Sequence, residues 1–186
     1  MRLFVAVDLD DAARASIAAE QDRLRQAGGS SLRWVKPEHL HMTLVFLGEV
    51  AERRASAVIE AYAAPEVMQP FDLAFRGIGA FPPRGAPRAL WIGVSRGESE
   101  LKALRQRMAD RAGEQGIALE PRPFSPHLTL GRWRDSRSAD RRRYESEAPS
   151  AEIAHVRVSR ATLYRSQLSS TGPTYTALAH ATLAPR

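Results

Sequence analysis

Hydrophobic and polar residues follow two different periods along this chain, and these periods predict the order of its strands and helices. Alternating or β-branched stretches predict strands at 2–9, 32–35, 38–48, 71–81, 89–95, 125–133, 153–166 and 175–183. Helical spacing predicts helices at 10–26, 52–63 and 98–115. Asp10 and Asp11 suit the start of the first helix, and Gly28 and Gly29 suit its end. The polar segment 134–150 is expected to be a loop with one turn of helix.

The order of these elements favours an α+β fold. Helices separated by several strands are typical of antiparallel sheets rather than of a doubly wound parallel sheet. One long helix precedes the strand at 38–48 and another precedes the strand at 125–133, which suggests two related halves. Because the chain has 186 residues and no flexible linker stands out, we expect one domain over 1–186, built as a unit or as two closely packed lobes.

Composition narrows the class of protein. Hydrophobic residues make up 44% of the chain and charged residues 26%, so a packed core is expected. The chain has no cysteine, which excludes disulfides and thiolate metal sites. No apolar run reaches the roughly 18 residues of a membrane span, and the short run at 1–8 contains a carboxylate that is atypical of a signal peptide. We therefore expect a cytoplasmic protein.

The net charge is +6, and almost all of the positive residues are arginines. A basic surplus favours a polyanionic partner and speeds the encounter with it. The same surplus is equally consistent with the arginine-rich composition of a GC-rich genome. Charge alone therefore leaves the partner open.

One four-residue pattern occurs twice, as His41-Met42-Thr43-Leu44 and as His127-Leu128-Thr129-Leu130. Each copy lies in a predicted strand, where residues two apart point to the same side, so the histidine and threonine of each copy are expected on one face. The residues expected on the opposite, apolar faces are Met42, Leu44 and Phe46 in the first strand and Leu128 and Leu130 in the second. A single His-x-Thr in a strand is usually structural, but two copies after two long helices favour a shared function.

Two imidazoles and two hydroxyls in one cleft would suit the hydrolysis of a phosphodiester. The ordinary pKa of histidine, about 6.5, lets a neutral ring accept a proton from water while a protonated ring donates one to the leaving oxygen. Threonine hydroxyls can donate to the phosphoryl oxygens, where charge accumulates in the transition state, so this chemistry needs no metal. His39 is expected to share a face with His41, but no third ligand accompanies this pair, and we expect no metal site.

Three further residues are candidates for the site, each with a simpler alternative. Arg132 lies three residues after Thr129, so it would face a phosphate only if the strand is bulged or ends there. Otherwise Arg132 is a surface arginine. Phe81 and Trp34 would either stack on a base or pack in the core.

Further segments accompany the two His-x-Thr motifs. They are Arg2-Leu3-Phe4-Val5-Ala6-Val7, Trp34-Val35, His39-Leu40, Phe46-Leu47-Gly48, Gly79-Ala80-Phe81-Pro82, Arg88, Trp91-Ile92-Gly93-Val94, Pro126, Gly131-Arg132, Leu163-Tyr164-Arg165-Ser166 and Gly172-Pro173. With these segments the chain resembles, nearly from end to end, the 2H phosphoesterase superfamily. Within it the chain looks most like the bacterial and archaeal RNA 2′,3′-cyclic phosphodiesterases, also called 2′-5′ RNA ligases. The motif pair is specific to the superfamily, and the Phe-Leu-Gly and Phe-Pro segments point to the subfamily.

The resemblance implies a bilobal α+β fold, with two antiparallel sheets in a pseudo-twofold arrangement around a central cleft and the helices outside. It implies that His41 is the proton donor to the 3′ leaving oxygen and that His127 is the proton acceptor that activates water. An RNA 2′,3′-cyclic phosphate would then open to a 2′-phosphate, with Thr43 and Thr129 holding the phosphoryl oxygens. It also implies that no cofactor is used, and that the reverse reaction, 2′-5′ ligation to a 5′-hydroxyl end, occurs as a weaker activity.

Three functions remain open at this point. The first is hydrolysis of RNA 2′,3′-cyclic phosphate ends, and the second is the same chemistry on a small cyclic nucleotide or a nucleotide-sugar cyclic phosphate. The third is an RNA-end-binding module without turnover, which the presence of two histidines disfavours because a binder needs no second imidazole. Nothing in the sequence demands a second chain, so we expect a monomer with no obligate protein partner and no membrane association.

Overall fold

The first of two five-stranded sheets carries the first His-x-Thr motif. The computed structural model describes residues 1–27, 32–121, 123–169 and 172–185. The strands of this first sheet are β1 (Arg2–Asp8), β3 (His41–Glu49), β4 (Glu66–Val67), β9 (Arg160–Ser169) and β10 (Gly172–Ala184). Their order is β3-β1-β9-β10-β4. Neighbouring strands are antiparallel, except that the two-residue β4 runs parallel to β10.

The second sheet carries the second motif. Its strands are β2 (Leu32–Trp34), β5 (Phe71–Phe81), β6 (Ala89–Arg96), β7 (His127–Trp133) and β8 (Ala154–Val158). Their order is β2-β7-β6-β5-β8, and every neighbouring pair is antiparallel. The two sheets therefore form two lobes of equal strand number.

Four α-helices in the described residues cover the sheets. They are α1 (Asp11–Ala27), α2 (Glu52–Ala63), α3 (Glu98–Glu114) and α4 (Ser138–Glu145). α2 and α3 pack mainly on the first sheet and contact each other, and α1 and α4 pack on the second. Because α1 follows β1 of the first sheet and α3 follows β6 of the second, each long helix lies against the lobe opposite to the strand before it. The lobes are joined by these exchanged helices.

The lobes repeat one arrangement. β1 precedes α1 and then pairs with β3, as β6 precedes α3 and then pairs with β7. β9 lies on the far side of β1, as β5 lies on the far side of β6. The prediction of an α+β fold with two antiparallel sheets in a pseudo-twofold arrangement is confirmed.

Local sequence signals explain several of these elements. The Asp10 carboxylate accepts a hydrogen bond from the backbone N–H of Ala13 (2.7 Å), which is the predicted N-cap of α1. Leu101, Leu104 and Met108 of α3 recur at helical spacing and are fully buried. Gly28 and Gly29, which were predicted to end the first helix, lie outside the described residues.

The predicted strand at 38–48 begins later than expected. Pro37–His39 forms a turn of 3-10 helix, in which the His39 N–H donates to the carbonyl oxygen of Lys36 (2.9 Å). Pro favours the first position of a helical turn because its fixed φ suits the helix and it has no N–H to satisfy there. His39 therefore precedes β3, and the prediction that it shares a strand face with His41 was wrong.

The predicted strand at 153–166 is two strands that belong to different sheets. β8 pairs with β5 in the second sheet, and after Ser159 the chain enters β9, which pairs with β1 in the first. Apolar residues are buried on both sides of this crossing, so hydrophobicity alone gave no sign of it.

The segment 134–150 contains more helix than predicted. α4 is eight residues long, and the Asp140 carboxylate accepts from the backbone N–H of Arg137 (2.7 Å) at its start. Tyr144 of α4 is 2% exposed and packs its ring against Trp34 and Trp133. One buried aromatic thus anchors an otherwise polar helix. In the part of the chain that is described, no helix has the length and apolarity needed to cross a membrane.

Candidate active site

The two motif strands, β3 and β7, approach each other where the two sheets meet. His41, Thr43, His127 and Thr129 are half-buried, whereas the alternate residues on the opposite faces, Met42, Leu44, Leu128 and Leu130, are buried. Within the described residues, neither threonine hydroxyl forms a hydrogen bond to the protein. The structure thus places the two predicted histidines and the two predicted threonines on strands that contact each other, and both histidines are close enough to Arg132 for its charge to affect them.

Both histidine rings are held by the same backbone contact. Nδ1 of His41 lies 2.7 Å from the carbonyl oxygen of His39, and Nδ1 of His127 lies 2.7 Å from the carbonyl oxygen of Ser125. A carbonyl oxygen only accepts, so Nδ1 carries the proton in each ring. Nε2 of each ring is left without a hydrogen bond to any of the described residues.

Aromatic rings flank each histidine. The ring centroid of His41 lies 5.0 Å from that of Phe4 and 5.3 Å from that of Tyr175, whose ring is nearly perpendicular to it. The centroid of His127 lies 4.8 Å from that of Phe81, again in an edge-to-face contact. These rings fix the imidazoles and remove water from one side of each.

Trp91 of β6 is a further aromatic residue beside His127 in the second sheet. The Trp91 ring centroid lies 6.3 Å from that of His127 and 5.2 Å from that of Phe81. A Cβ at Gly79 would lie 2.3 Å from the Trp91 ring, so only glycine lets this ring lie flat on β5. Phe81, at the end of β5, precedes Pro82 through a cis peptide bond.

Burial is the largest influence on both histidines, and it lowers the pKa of each below the ordinary value of 6.5. The hydrogen bonds to the carbonyl oxygens of His39 and Ser125 oppose this effect. The carboxylate of Asp8 also raises the pKa of His41, while the positive charge of Arg132 lowers the pKa of both rings. Burial therefore favours the neutral form of both imidazoles, and the positive charge of Arg132 acts on both in the same direction.

A bulge in β7 turns Arg132 to the cleft. Leu90 of β6 is opposite Gly131, but the next residue, Trp91, is opposite Thr129, so Leu130 has no partner in β6. The extra residue reverses the alternation, and Arg132 becomes exposed on the face of His127 and Thr129. An ideal strand would have placed it on the opposite face.

The same bulge occurs in β3. Val5 is opposite Val45 and Ala6 is opposite Thr43, so Leu44 is skipped as Leu130 is in β7. Phe46, five residues after its histidine like Arg132, is consequently 64% exposed and lies with its centroid 6.2 Å from that of the buried Phe4. The prediction that Phe46 lies on the apolar face with Met42 and Leu44 was wrong, because that prediction assumed a regular strand.

The residue opposite the histidine differs between the two lobes. Asp8 is opposite His41, whereas Gly93 is opposite His127. The Asp8 carboxylate accepts hydrogen bonds from the Tyr164 hydroxyl (2.5 Å) and the Thr162 hydroxyl (2.6 Å). It is thereby fixed beside His41, whereas among the described residues no carboxylate is opposite His127.

Several residues of the cleft were not predicted from the sequence. Asp8 and Tyr175 come from β1 and β10, and no local pattern links them to a motif 30 or more positions away. Phe46 did carry a signal, since aligning the two motif strands on their histidines places it at the position of Arg132. Trp34, by contrast, packs against the Arg25 guanidinium of α1 (5.2 Å to the ring centroid) and against Tyr144 of α4. It therefore belongs to the packing between the second sheet and these two helices.

Within the described ranges, no group of three or more histidine, aspartate or glutamate side chains is arranged to hold a metal ion. A cavity of about 250 Å³ opens beside His41, between the start of α1 and the strands of the first sheet. Its walls include Asp8, His39 and Tyr175.

Fold and cleft together define a two-lobed α+β protein with paired His-x-Thr strands. The chain belongs to the 2′-5′ RNA ligase superfamily, whose family model matches residues 13–169. It is 39% identical to an RNA 2′,3′-cyclic phosphodiesterase of Archaeoglobus fulgidus, over 94% of this chain and 96% of that protein. It is 35% identical to a protein of the same name from Methanothermobacter thermautotrophicus, over 95% of each chain.

Solved structures agree with this assignment. The protein TT0787 of Thermus thermophilus superposes with a TM-score of 0.75 at 29% identity, covering 100% of both chains. LigT of Escherichia coli in its apo form superposes with a TM-score of 0.76 at 26% identity, covering 98% of this chain and 97% of that one. The family resemblance and the fold expected from it are confirmed.

Proposed function

We propose that this protein hydrolyses the 2′,3′-cyclic phosphate ends of RNA to 2′-phosphate ends. The observation that carries the proposal is the pair of imidazoles on two contacting strands, each with Nδ1 bonded to a carbonyl oxygen and each affected by the charge of Arg132. The names of the relatives at 35–39% identity supply the substrate, RNA with a cyclic phosphate end. The geometry supplies the acid and the base.

The reaction uses one proton transfer at each histidine. Nε2 of His127 accepts a proton from water, and the resulting hydroxide oxygen attacks phosphorus. The bond from phosphorus to the 3′ oxygen breaks, and Nε2–H of His41 donates a proton to that oxygen, which leaves a 3′-hydroxyl and a 2′-phosphate. Each transfer contributes roughly 10²–10⁴-fold to the rate. A proton passed from His127 to solvent and one returned to His41 restore the enzyme.

Thr43, Thr129 and Arg132 bind the phosphoryl oxygens. The two hydroxyls are free to donate within the described chain, and the guanidinium of Arg132 acts on both histidines. Donors placed where negative charge develops stabilise the transition state more than the substrate. Phe81, which contacts His127 edge-to-face, offers its ring to the neighbouring sugar or base.

The proposed steps use no metal, because the leaving oxygen is protonated and the oxyanions are held by hydroxyl and guanidinium donors. Both histidines come from one chain, so the site needs no second copy of the protein. We therefore infer that the chain acts as a monomer in a single bilobal domain, 1–186. When a 5′-hydroxyl replaces water as the nucleophile, the same groups act in the same way: His127 accepts the proton of that hydroxyl, its oxygen attacks phosphorus, and the protonated 3′ oxygen leaves, which forms a 2′-5′ linkage as the weaker ligation activity.

The first test is the product formed from an RNA oligonucleotide with a 2′,3′-cyclic phosphate end in the presence of EDTA. We expect a 2′-phosphate, and a loss of roughly 10²–10⁴-fold in kcat for His41→Ala and for His127→Ala. The matched control is His155→Ala, since His155 is an exposed histidine of β8 outside the cleft, and this variant should retain full activity.

Other outcomes of this experiment would distinguish the remaining hypotheses. A 3′-phosphate product would contradict the assignment of the leaving oxygen while retaining two-histidine chemistry. Loss of turnover in EDTA that added metal restores would contradict metal independence. Tight RNA binding without turnover would indicate an RNA-end-binding module.

A further inference from the structure

A groove of about 600 Å³ lies beyond the cleft, between the loop after β5 and the segment after β7. We refer to it as the arginine groove. Its lining residues are Pro82, Arg84, Ala86, Pro87, Arg88, Trp133, Arg134, Asp135 and Ser136. None of the proposed catalytic residues lines it, so the proposed reaction leaves this groove without a role.

The arginine groove is positively charged. Arg84, Arg88 and Arg134 are exposed, and in the described part of the chain none of their guanidinium groups forms a hydrogen bond or an ion pair. Among the described residues that line the groove, Asp135 is the one carboxylate, which leaves a surplus of two positive charges. Elsewhere, exposed arginines such as Arg96 and Arg157 have carboxylate partners, at 2.9 Å and 3.1 Å.

The walls of the groove are fixed by hydrogen bonds. The Arg141 guanidinium of α4 donates to the carbonyl oxygens of Pro82, Pro83 and Gly85. These hydrogen bonds attach the loop after β5 to α4. The Ser136 hydroxyl donates to the carbonyl oxygen of Pro87. The backbone N–H of Trp133 donates to the carbonyl oxygen of Arg88 (3.0 Å), which ties the two walls together. An ordered wall of unpaired arginines is suited to a polyanion.

Each wall of the arginine groove is linked along the chain to His127 or to a residue that contacts it. Phe81, whose ring contacts His127, is followed directly by Pro82 at the start of the loop. On the other wall, β7 runs from His127 to Trp133, a rise of roughly 20 Å at the usual spacing of a strand. This distance exceeds one nucleotide, so a ligand that fills both the cleft and the groove has more than one phosphate.

We propose that the arginine groove binds the phosphodiester backbone of single-stranded RNA on the 5′ side of the cyclic phosphate end. This proposal rests on the proposed function, and it makes an oligonucleotide rather than a cyclic mononucleotide the preferred substrate. Arg84, Arg88 and Arg134 each contact a phosphate. Phe81, which lies between His127 and the groove, stacks on a base of the same RNA. Contacts of this kind bind the backbone without reading the base sequence.

The test compares two substrates in a triple variant, Arg84→Ala with Arg88→Ala and Arg134→Ala. One substrate is an RNA oligonucleotide of about ten nucleotides that ends in a 2′,3′-cyclic phosphate, and the other is adenosine 2′,3′-cyclic phosphate. We expect kcat/KM for the oligonucleotide to fall about tenfold or more. The slope of log(kcat/KM) against log[salt] should weaken by about 2, since each lost phosphate contact on a single strand removes about 0.7.

Activity on the cyclic mononucleotide should stay within about twofold, because it does not reach the groove. The control variant carries Arg53→Ala, Lys102→Ala and Arg157→Ala, which remove the same three charges from exposed positions on α2, α3 and β8. It should leave the preference for the oligonucleotide intact, since the loss of net charge alone acts on both substrates.

Four results would overturn the proposal. An equal loss on both substrates would mean that the arginines support the cleft rather than bind the RNA backbone, and no loss on either would mean that the groove is unused. A wild-type protein that hydrolyses the mononucleotide but prefers no oligonucleotide would retain the two-histidine chemistry and reject the groove. A wild-type protein that hydrolyses neither substrate would reject the proposed function itself and, with it, the substrate preference.

Discussion

The two histidines have the same backbone support but different neighbours, and this difference distinguishes their roles. Asp8 lies opposite His41 and raises its pKa, whereas Gly93 lies opposite His127 and contributes no charge. A carboxylate beside an imidazole favours the protonated ring. The ring that must hold a proton until the leaving oxygen departs is the one that gains from this neighbour. The proposed acid role of His41 therefore has a physical basis in Asp8.

Asp8→Asn should lower the pKa of His41, because it removes a negative charge and keeps a side chain that can bond to Tyr164 and Thr162. The alkaline limb of the kcat/KM profile, which requires protonated His41, should then move to lower pH while the acidic limb stays in place. A shift of one pKa unit lowers activity on the alkaline side about tenfold. The measurement is a pH–rate profile with a cyclic phosphate substrate.

The control for this prediction is Asp72→Asn, which removes an exposed carboxylate of the second sheet that pairs with Arg157 (3.1 Å). Its profile should match that of the wild-type protein. A displaced acidic limb in Asp8→Asn, with the alkaline limb unchanged, would show that Asp8 acts on the base rather than on the acid.

At the residue scale, the sequence predicted what depends on alternation within a regular strand. The histidine and threonine of each motif share a face because they are two residues apart. The strand faces of Phe46 and Arg132 could not be predicted from alternation, because one extra residue in each strand reverses the alternation of the residues that follow it. Tyr175 was missed because its contact with His41 joins strands that are far apart in sequence.

At the scale of elements, the bulge in β7 is stabilised from the neighbouring helix. The carbonyl oxygen of Leu130, which has no partner in β6, accepts hydrogen bonds from the Val35 N–H (2.8 Å) and from Nε2 of Gln21 (2.9 Å). Gln21 lies in α1 and is 2% exposed, and the same Nε2 also donates to the carbonyl oxygen of Val35 (2.9 Å). One buried amide thus satisfies the carbonyl groups that the bulge and the strand end leave open.

Gln21→Leu should lower the free energy of unfolding by about 1–3 kcal/mol, since it removes the buried hydrogen bond to the Leu130 carbonyl oxygen and leaves the part-buried carbonyl oxygen of Val35 without this donor. Because the bulge sets the direction of Arg132, kcat/KM for a cyclic phosphate substrate should fall as well. Urea unfolding and steady-state kinetics measure the two effects. Gln106→Leu, at an exposed position of α3, is the matched control and should change neither quantity. A variant that is destabilised but fully active would contradict the inference that the bulge sets the direction of Arg132.

Elements with a strong local signal were predicted, and those that depend on distant partners were not. α1 was evident from its N-cap and its periodicity, and α3 from its periodicity, whereas β4 has only two residues and exists because it pairs with the end of β10. The 3-10 turn before β3 was hidden by the apolar residues that follow it. At this scale, the sequence did not indicate which elements pair with each other.

At the scale of the whole molecule, the composition and element order predicted the fold class and the two halves. They did not predict that the long helices are exchanged between the lobes, or that the chain crosses from one sheet to the other at Ser159. Both features follow from tertiary packing, since a helix or strand with one apolar face fits either sheet. The exchange brings each long helix to the motif strand of the other half, because Gln21 of α1 donates to the Leu130 carbonyl oxygen of β7 and α3 packs on β3.

The cleft also sets how the stability of the whole molecule depends on pH. Burial lowers the pKa of His41 and of His127 in the folded chain, while the unfolded chain has the ordinary value of 6.5. Above 6.5 both states are neutral at these groups and the stabilisation is fully present. As the pH falls below 6.5, the unfolded chain binds protons that the folded chain does not yet bind, so the free energy of unfolding decreases until the folded pKa values are passed.

The double variant His41→Asn with His127→Asn should therefore lose less stability than the wild-type protein between about pH 7 and pH 5, which urea unfolding at each pH measures. Inorganic phosphate should restore stability to the wild-type protein most strongly at the acidic end, because an anion between the two imidazoles favours their charged forms. It should have little effect on the double variant. An identical pH dependence in both proteins would mean that the two histidines titrate alike in the folded and unfolded chains, and the neutral cleft inferred from their burial would then be wrong.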